Sequence, residues 1–278
     1  MSNVTNFSDL NAYNTEMVKS AYDKLGFIDH IFEPLNVIVD FGCANGAITR
    51  MIKAFYPNAV VIGYDLKEVL EQNGLYKTMD KTGIIYTSNL NDIDLAVNDY
   101  NLPSGSNSLL VMNSVTHEIY NYMSRFDRYE LFNKLFSIGF DYIWLRDMFI
   151  EGNFGGNNTL EGIYNNIHAS NDDISERLSQ NCVYLNTNTP NSQELVEFML
   201  KCRYKNWDKE MKESYNALYD NRHEFSAFLK KYGFKVDYLE RYVLPYVDYI
   251  NEKDFGINLS LHSITTHIKV LLVKGEEK

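Results

Sequence analysis

Cysteine is scarce: Cys43, Cys182 and Cys202 are the only three in 278 residues. Odd in number and widely spaced, they make no disulfide framework and point to a reducing compartment. None stands at metal-ligand spacing from His168, His223, His262 or His267, so no zinc site is expected. Three closely spaced thiolates for an iron–sulfur cluster are missing as well. No apolar run approaches the roughly 20 residues that a membrane helix needs. The opening MSNVTNFSDLNAYN has no basic segment followed by an apolar core, so no signal peptide is expected and the chain reads as cytoplasmic. Basic residues are in deficit, with 26 Lys and Arg against 37 Asp and Glu and a net charge of −11. That excess of acid argues against long-range steering toward nucleic acid, although Lys201, Arg203, Lys205, Lys209 and Lys212 make a local basic surface. Internal repeats and low-complexity tails are also lacking.

Aromatic residues, by contrast, are plentiful. With 21 Tyr and 16 Phe, they should dominate both the core and any cleft. The length suits one large domain with an insertion better than two small domains. The most informative stretch is 37–50, VIVDFGCANGAITR. A β-branched run, Val37-Ile38-Val39, ends in Asp40, and a glycine turn, Gly42-Cys43-Ala44-Asn45-Gly46, then opens a helix. About 20 residues further on, a second apolar run ends in Asp65, which is the layout of a nucleotide-like cofactor site at the mouth of a parallel sheet. Glycines there let the backbone approach a ligand, and the second acid can accept hydrogen bonds from ribose hydroxyls.

Periodicity orders the rest of the chain. One or two helices over 8–32 lead into a strand at 35–40, and a helix at 47–56 is stopped by Pro57. A strand at 59–64, a short helix at 67–72, a strand at 84–86 and a helix at 92–99 follow. Pro103-Ser104-Gly105 turns the chain into a strand at 108–113. An amphipathic helix over 124–138 precedes a strand at 142–146. The segment 151–158, EGNFGGNN, has the composition of a mobile loop, and 159–220 reads mostly as helices. Strand-like alternation returns at 234–243 and 264–273, with no obvious helix between them. This alternation makes the chain an α/β protein with a doubly wound parallel sheet. It divides into an N-terminal helical segment (1–34), a binding domain (35–147 and 232–278) and a helical lid or insertion (148–231).

VDFGCANG resembles the first motif of class I S-adenosyl-L-methionine (SAM)-dependent methyltransferases. The resemblance covers 35–147 and 232–273. It implies a Rossmann-like, mostly parallel seven-stranded sheet with an antiparallel last strand, interrupted here by a helical insertion after strand 5. It also implies cofactor contacts from Asp40, Gly42, Cys43, Ala44 and Gly46, a ribose grip by Asp65 with Leu66, and adenine contacts from Asn89 and Leu90 after the third strand. Asn113 closes the fourth strand and joins the cofactor set, and the segment 113–118 is where the family commonly carries acceptor-side residues. A nicotinamide-dependent dehydrogenase shares the spacing. Its fingerprint needs Gly-x-Gly-x-x-Gly, whereas this turn has Ala44 between Gly42 and Gly46.

A sulfonium already makes its methyl group electrophilic, so the protein must mainly align an acceptor and exclude water. A base is needed only where the acceptor loses a proton. His117 is the candidate, as base or as hydrogen-bonding anchor, with Glu118 beside it; the alternative is that His117 caps the following turn and Glu118 makes an ion pair. Arg146 could clamp an anionic acceptor, or pair with Asp147 or Glu118 and only shape the cleft. Tyr120, Tyr122 and Trp144 could line an acceptor pocket or simply pack, and Cys43 reads as a small filler rather than a nucleophile. The base-amino signature Asp/Asn-Pro-Pro-Tyr/Phe is replaced by Asn113-Ser114-Val115-Thr116, no cysteine suits cytosine-carbon chemistry, and no lysine-rich tetrad for ribose methylation stands out. Arg203, Asn206, Trp207, Asp208 and Tyr215 are candidate lid residues; a homodimer surface built from the same helices is the alternative. The expected activity is methyl transfer to oxygen or nitrogen of a small-molecule acceptor. A catalytically inactive SAM-binding regulatory protein and a nucleic-acid methyltransferase are the alternatives.

Overall fold

The computed structural model describes residues 21–76, 83–98, 107–155, 157–185, 187–188 and 190–275. The expected helices before residue 21 and the turn at 103–105 lie outside these. After a short helix α1 (Ala21–Lys24) and a 3-10 turn (Gly26–Asp29), the chain enters β1 (Leu35–Phe41), α2 (Ala47–Phe55), β2 (Val60–Tyr64), α3 (Lys67–Gln72), β3 (Ile85–Thr87), α4 (Leu90–Val97) and β4 (Asn107–Asn113). Then come α5 (Thr116–Tyr122), α6 (Arg125–Ser137) and β5 (Tyr142–Glu151). Six helices follow: α7 (Asn157–His168), α8 (Asp172–Tyr184), α9 (Ser192–Lys201), α10 (Trp207–Glu210), α11 (Ala217–Asp220) and α12 (Arg222–Lys231). The chain ends in β6 (Phe234–Tyr242), α13 (Pro245–Phe255) and β7 (Thr265–Lys274).

The seven strands form one sheet in the order β3-β2-β1-β4-β5-β7-β6. The first five run parallel, and β7 and β6 are antiparallel. This is the Rossmann-like arrangement that the methyltransferase resemblance implies. Parallel strands covered on both faces must be apolar on both, which explains the unbroken run in β1: Val37, Ile38 and Val39 are all fully buried. Strand order reverses between β1 and β4, and in such sheets ligands bind in the crevice beyond the carboxyl ends of the strands at that point. The residues leaving β1 and β4 therefore define the place to look.

The chain forms two compact units. One extends to Asp147 and takes in His223–Leu239 and the segment from Lys269 onward. Its core gathers Ile38, Val61, Leu109, Val111, Trp144 and Leu271. The other comprises Met148–Arg222 and Glu240–Ile268, around Ile150, Phe198, Met199, Phe255 and Ile264. No helix among the described residues is long and apolar enough to cross a membrane.

Four elements differ from the sequence reading. Strand β5 continues to Glu151 rather than ending at Arg146, because Phe149 and Ile150 are buried apolar residues. Residues 116–122 form a separate helix, α5, whose N-terminus is capped from another strand. A helix, α13, lies between the last two strands, started by Pro245 and stopped by Gly256 at φ +68°, as proline and glycine do at helix ends. Finally, segment 240–268 groups with 148–222 rather than with the binding domain, because Phe255, Ile257, Leu259 and Ile264 all enter the second core.

Candidate active site

The turn after β1 is held by backbone hydrogen bonds, most of them to the end of β2. Gly42 N–H and Cys43 N–H both donate to Tyr64 O, at 2.8 and 3.0 Å, and Gly46 N–H donates to Cys43 O at 2.8 Å. Three of its residues have left-handed φ: Gly42 (+82°), Ala44 (+48°) and Gly46 (+72°). What approaches the two glycines is side chain of this chain. A Cβ on Gly42 would lie 2.7 Å from Val115 Cγ2, and one on Gly46 would lie 2.6 Å from the Tyr86 hydroxyl. The glycines thus let the β1 turn close against the residue that leads into α5 and against the end of β3. Cys43 is buried, and burial raises its thiol pKa.

Asp65, at the end of β2, faces this turn. Its Oδ2 accepts the Ala44 N–H at 2.7 Å and its Oδ1 accepts the Leu66 N–H at 2.7 Å. Partial burial raises its pKa, against the effect of these two bonds. A carboxylate offers about four lone-pair sites, so each oxygen keeps one for a further donor. Leu66 beside it is exposed. After β3, Asn89 caps α4 by accepting the Asn91 N–H at 3.1 Å, and its Nδ2 donates to Asp92 at 3.2 Å; Leu90 is half-buried at the helix start.

Asp40 is buried beneath the turn, where its Oδ2 accepts the Thr49 hydroxyl at 2.6 Å. Desolvation pushes its pKa up to about 6, with the Thr49 bond and the nearby Lys24 charge opposing. Lys24, also buried, is pushed down to about 8, first by desolvation and then by Arg146. Between the ordinary 3.8 and about 6 the folded chain holds the Asp40 proton while the unfolded chain releases it. The contribution of Asp40 to stability therefore falls as pH rises through that window and stays lowest above it. Thermal unfolding of the protein and of Asp40→Asn from pH 4 to 7.5 should show the wild type losing, relative to the variant, about 2 kcal/mol over that rise. Parallel curves would remove this assignment.

The other half of the site leaves β4. His117 lies in the first turn of α5 and is 3% exposed; its Nδ1 is 2.6 Å from Asp147 Oδ1. Asp147, fully buried within β5 and next after the Arg146 that pairs with the end of β4, also accepts the Thr116 N–H at 2.8 Å and the His117 N–H at 3.1 Å through Oδ2. One carboxylate therefore caps the helix and fixes the histidine ring. An ionised carboxylate only accepts, so the His117 Nδ1–H is the donor in this bond. Glu118, the neighbour in sequence, is exposed; the carboxylate on Nδ1 is Asp147. Ser114 stands in the left-handed region (φ +54°) at the start of this turn, a conformation that non-glycine residues keep only where the surroundings enforce it. Asn113 before it is 7% exposed, and neither atom of its amide has a partner among the described residues.

Arg146 does not stand open for an acceptor. It is 3% exposed, its Nε donates to Asp23 at 2.7 Å and its Nη1 to Ser114 Oγ at 2.9 Å. Trp144 belongs to the core: its indole N–H donates to Lys24 O at 3.2 Å and its ring packs among Phe27, His30 and Tyr238. Tyr120 is buried against Phe132, whereas Tyr122 is exposed. Within the second unit, Arg203 is held by Asp254, Asn251 and the Met199 carbonyl. Tyr215 is buried there, with its hydroxyl on Glu210 and Lys201 over its ring. Both hold that unit together. Trp207 faces the Arg177 guanidinium at 5.7 Å.

The sequence reading missed Asp147 as the partner of His117, along with Ser114, Thr49 and Asp23. Positive φ at Ser114 has no signature in residue type, Asp147 and Asp23 act across 30 and 123 residues, and Thr49 sits in the helix after the turn with nothing in its type to mark it as the partner of Asp40.

Comparison with known proteins gives likenesses both of sequence and of structure. No family model matches the chain. Over 52 residues it is 42% identical to caffeic acid 3-O-methyltransferase of Clarkia breweri, a match covering 19% of this chain and 14% of that enzyme. LepI, solved in complex with SAM, is similar at a TM-score of 0.40 and 12% identity over 92% of this chain; the match spans 46% of LepI, about half its length. The plantazolicin methyltransferase BamL, solved with a triazolic desmethylPZN analog and SAH, gives a TM-score of 0.49 at 11% identity, covering 96% of this chain and 88% of that one.

Proposed function

We propose that this chain is a SAM-dependent methyltransferase that transfers a methyl group to an oxygen or nitrogen of a small-molecule acceptor. The observation that carries the reading is the pairing of the β1 turn with the second acid: the Ala44 N–H bound to Asp65 at 2.7 Å, at the edge where strand order reverses. Two features of the chain fit the cofactor. Asp65 retains a lone pair on each oxygen beyond its two backbone bonds, which suits a pair of sugar hydroxyls. Asn113 carries a buried amide with neither atom partnered among the described residues, and such groups call for an explanation; an amino-acid moiety with its own donor and acceptor would satisfy it. When bound, the cofactor supplies an electrophilic methyl group.

The chain's own part is to hold, orient and deprotonate. Asp65 holds the sugar. His117 takes the acceptor's proton at Nε2, and Asp147 stabilises the imidazolium that forms, as carboxylate partners of histidine bases do. Because the ring is fixed through Nδ1 and the helix through the same carboxylate, the base needs no reorganisation to act. The 52-residue likeness to an O-methyltransferase and a histidine base both favour an acceptor hydroxyl whose proton must leave.

Calorimetry with SAH tests the cofactor half. The wild type should bind it, and Asp65→Ala should weaken binding by roughly 5- to 150-fold, the loss of hydrogen bonds to a charged acceptor. Asp65→Asn, which keeps one acceptor oxygen, should fall between the two. Equal affinity in all three proteins would remove Asp65 from the site.

A further inference from the structure

Resting on the methyl-transfer reading, we propose that Asp23 is a positioning residue for the His117–Asp147 pair, acting through Arg146 and Ser114. Asp23 lies 123 residues before Arg146, in α1, and nothing in its local sequence connects it with chemistry. Its carboxylate joins two cations: Oδ2 accepts from Arg146 Nε at 2.7 Å and Oδ1 lies 2.8 Å from Lys269 Nζ. Arg146 is thereby held in the one orientation that lets Nη1 donate to Ser114 Oγ at 2.9 Å. The backbone closes the same loop, since the Ser114 N–H donates to Arg146 O at 2.7 Å.

The grip falls where the chain is under strain. Ser114 holds φ +54°, which costs on the order of 1–3 kcal/mol for a residue with a side chain. Released, it would relax toward negative φ and carry Val115, Thr116 and His117 with it. The next residue of β5, Asp147, fastens the far end of this segment through the Thr116 and His117 N–H groups. Consecutive residues Arg146 and Asp147 thus hold 114–117 at two points, and Asp23 keeps the first point in place. If Asp23 loses its charge, Arg146 and Lys269 each lose the ion pair that it makes with them at 2.7 and 2.8 Å. The guanidinium then turns away and Ser114 is free to relax.

The experiment compares wild type, Asp23→Asn, Ser114→Gly and the double variant in the full chain. Three quantities are read: kcat for methyl transfer, SAH affinity, and the low-field proton resonance of His117 Nδ1, assigned by its loss in His117→Gln. Asp23→Asn should lower kcat about tenfold or more, the scale of a small misplacement of a reacting group. SAH affinity should stay within about twofold and the resonance should shift or broaden. Glycine adopts positive φ without cost, so in the Ser114→Gly background the same substitution should change kcat less than about twofold if the relay runs through Ser114. An unchanged resonance and kcat in Asp23→Asn, or an equal fall in both backgrounds, would overturn the proposal. If the wild type binds no SAH, the methyl-transfer reading fails, and the resonance alone decides whether Asp23 positions His117. Should Asp23→Asn not fold, Ser114→Ala removes only the oxygen that Arg146 grips; the same shift supports the proposal and no shift overturns it.

Discussion

Replacing His117 with glutamine should lower kcat by about 10²- to 10⁴-fold, the range lost with a positioned general base, while SAH affinity stays within about twofold. The separation follows from where the groups lie. His117 follows β4 and is fixed by Asp147, whereas Asp65, the acid proposed to hold the sugar, follows β2. Asp147→Asn gives a sharper form of the same test. Its Oδ1 can still cap α5, but its amide N–H₂ would face His117 Nδ1 and donate to it. The ring would then carry its proton on Nε2 and lose its capacity as a base. The variant should remain folded, bind SAH and turn over as poorly as His117→Gln. The loss in the wild type should also follow a single ionisation on the acid side of the pH–rate profile, and that limb should vanish in His117→Gln. Turnover that survives both substitutions would mean that the acceptor needs no base from this residue.

The second large effect is expected at Gly42. Alanine there must hold φ +82° and place its Cβ 2.7 Å from Val115 Cγ2 and 2.9 Å from Val115 Cβ. The first penalty is about 1–2 kcal/mol. The second has to be relieved by moving Val115, which precedes α5 and so carries the displacement to His117. Gly42→Ala should therefore unfold several degrees lower, at roughly 2–4 °C per kcal/mol for a chain of this size, and lose both SAH affinity and turnover. Gly74→Ala separates the two penalties, because Gly74 also has positive φ (+65°) but nothing within 4 Å of its added Cβ. That variant should lose only the conformational part and keep full activity. If Gly42→Ala is no worse than Gly74→Ala, the close approach between the β1 turn and Val115 has no functional weight.

What could be read along the chain was what the chain specifies locally. Asp40, Gly42, Gly46 and Asp65 announce themselves because a strand, a tight turn and a second strand follow one another within a short stretch, and hydrophobic runs mark the strands. Helix α13 was invisible for a physical reason. Tyr246 and Tyr249 are exposed, while the fully buried position is Asn251, bound to Arg203 just after α9; the apolar stripe that betrays a helix is missing, though Pro245 and Gly256 mark its ends. Strand β5 was read short because Arg146 and Asp147 look like a polar terminus, yet both are buried and partnered. The histidine was legible from its place after β4, but its carboxylate partner was not. Glu118 stands adjacent in sequence, while Asp147, 30 residues away, makes the bond. Arg146 reads as a clamp or as a pair with Asp147 or Glu118; its partner Asp23, 123 residues away, is not among these because the contact spans most of the first unit's sequence.

A crystal structure with SAH bound addresses the central claim directly. The account predicts the sugar hydroxyls on Asp65, beside the Gly42–Gly46 turn, with the Asn113 amide satisfied by the amino-acid portion and His117 Nε2 open toward the departing methyl position. SAH bound elsewhere, or bound with Asp65 still engaged only by Ala44 and Leu66 and with Asn113 unpartnered, would contradict it.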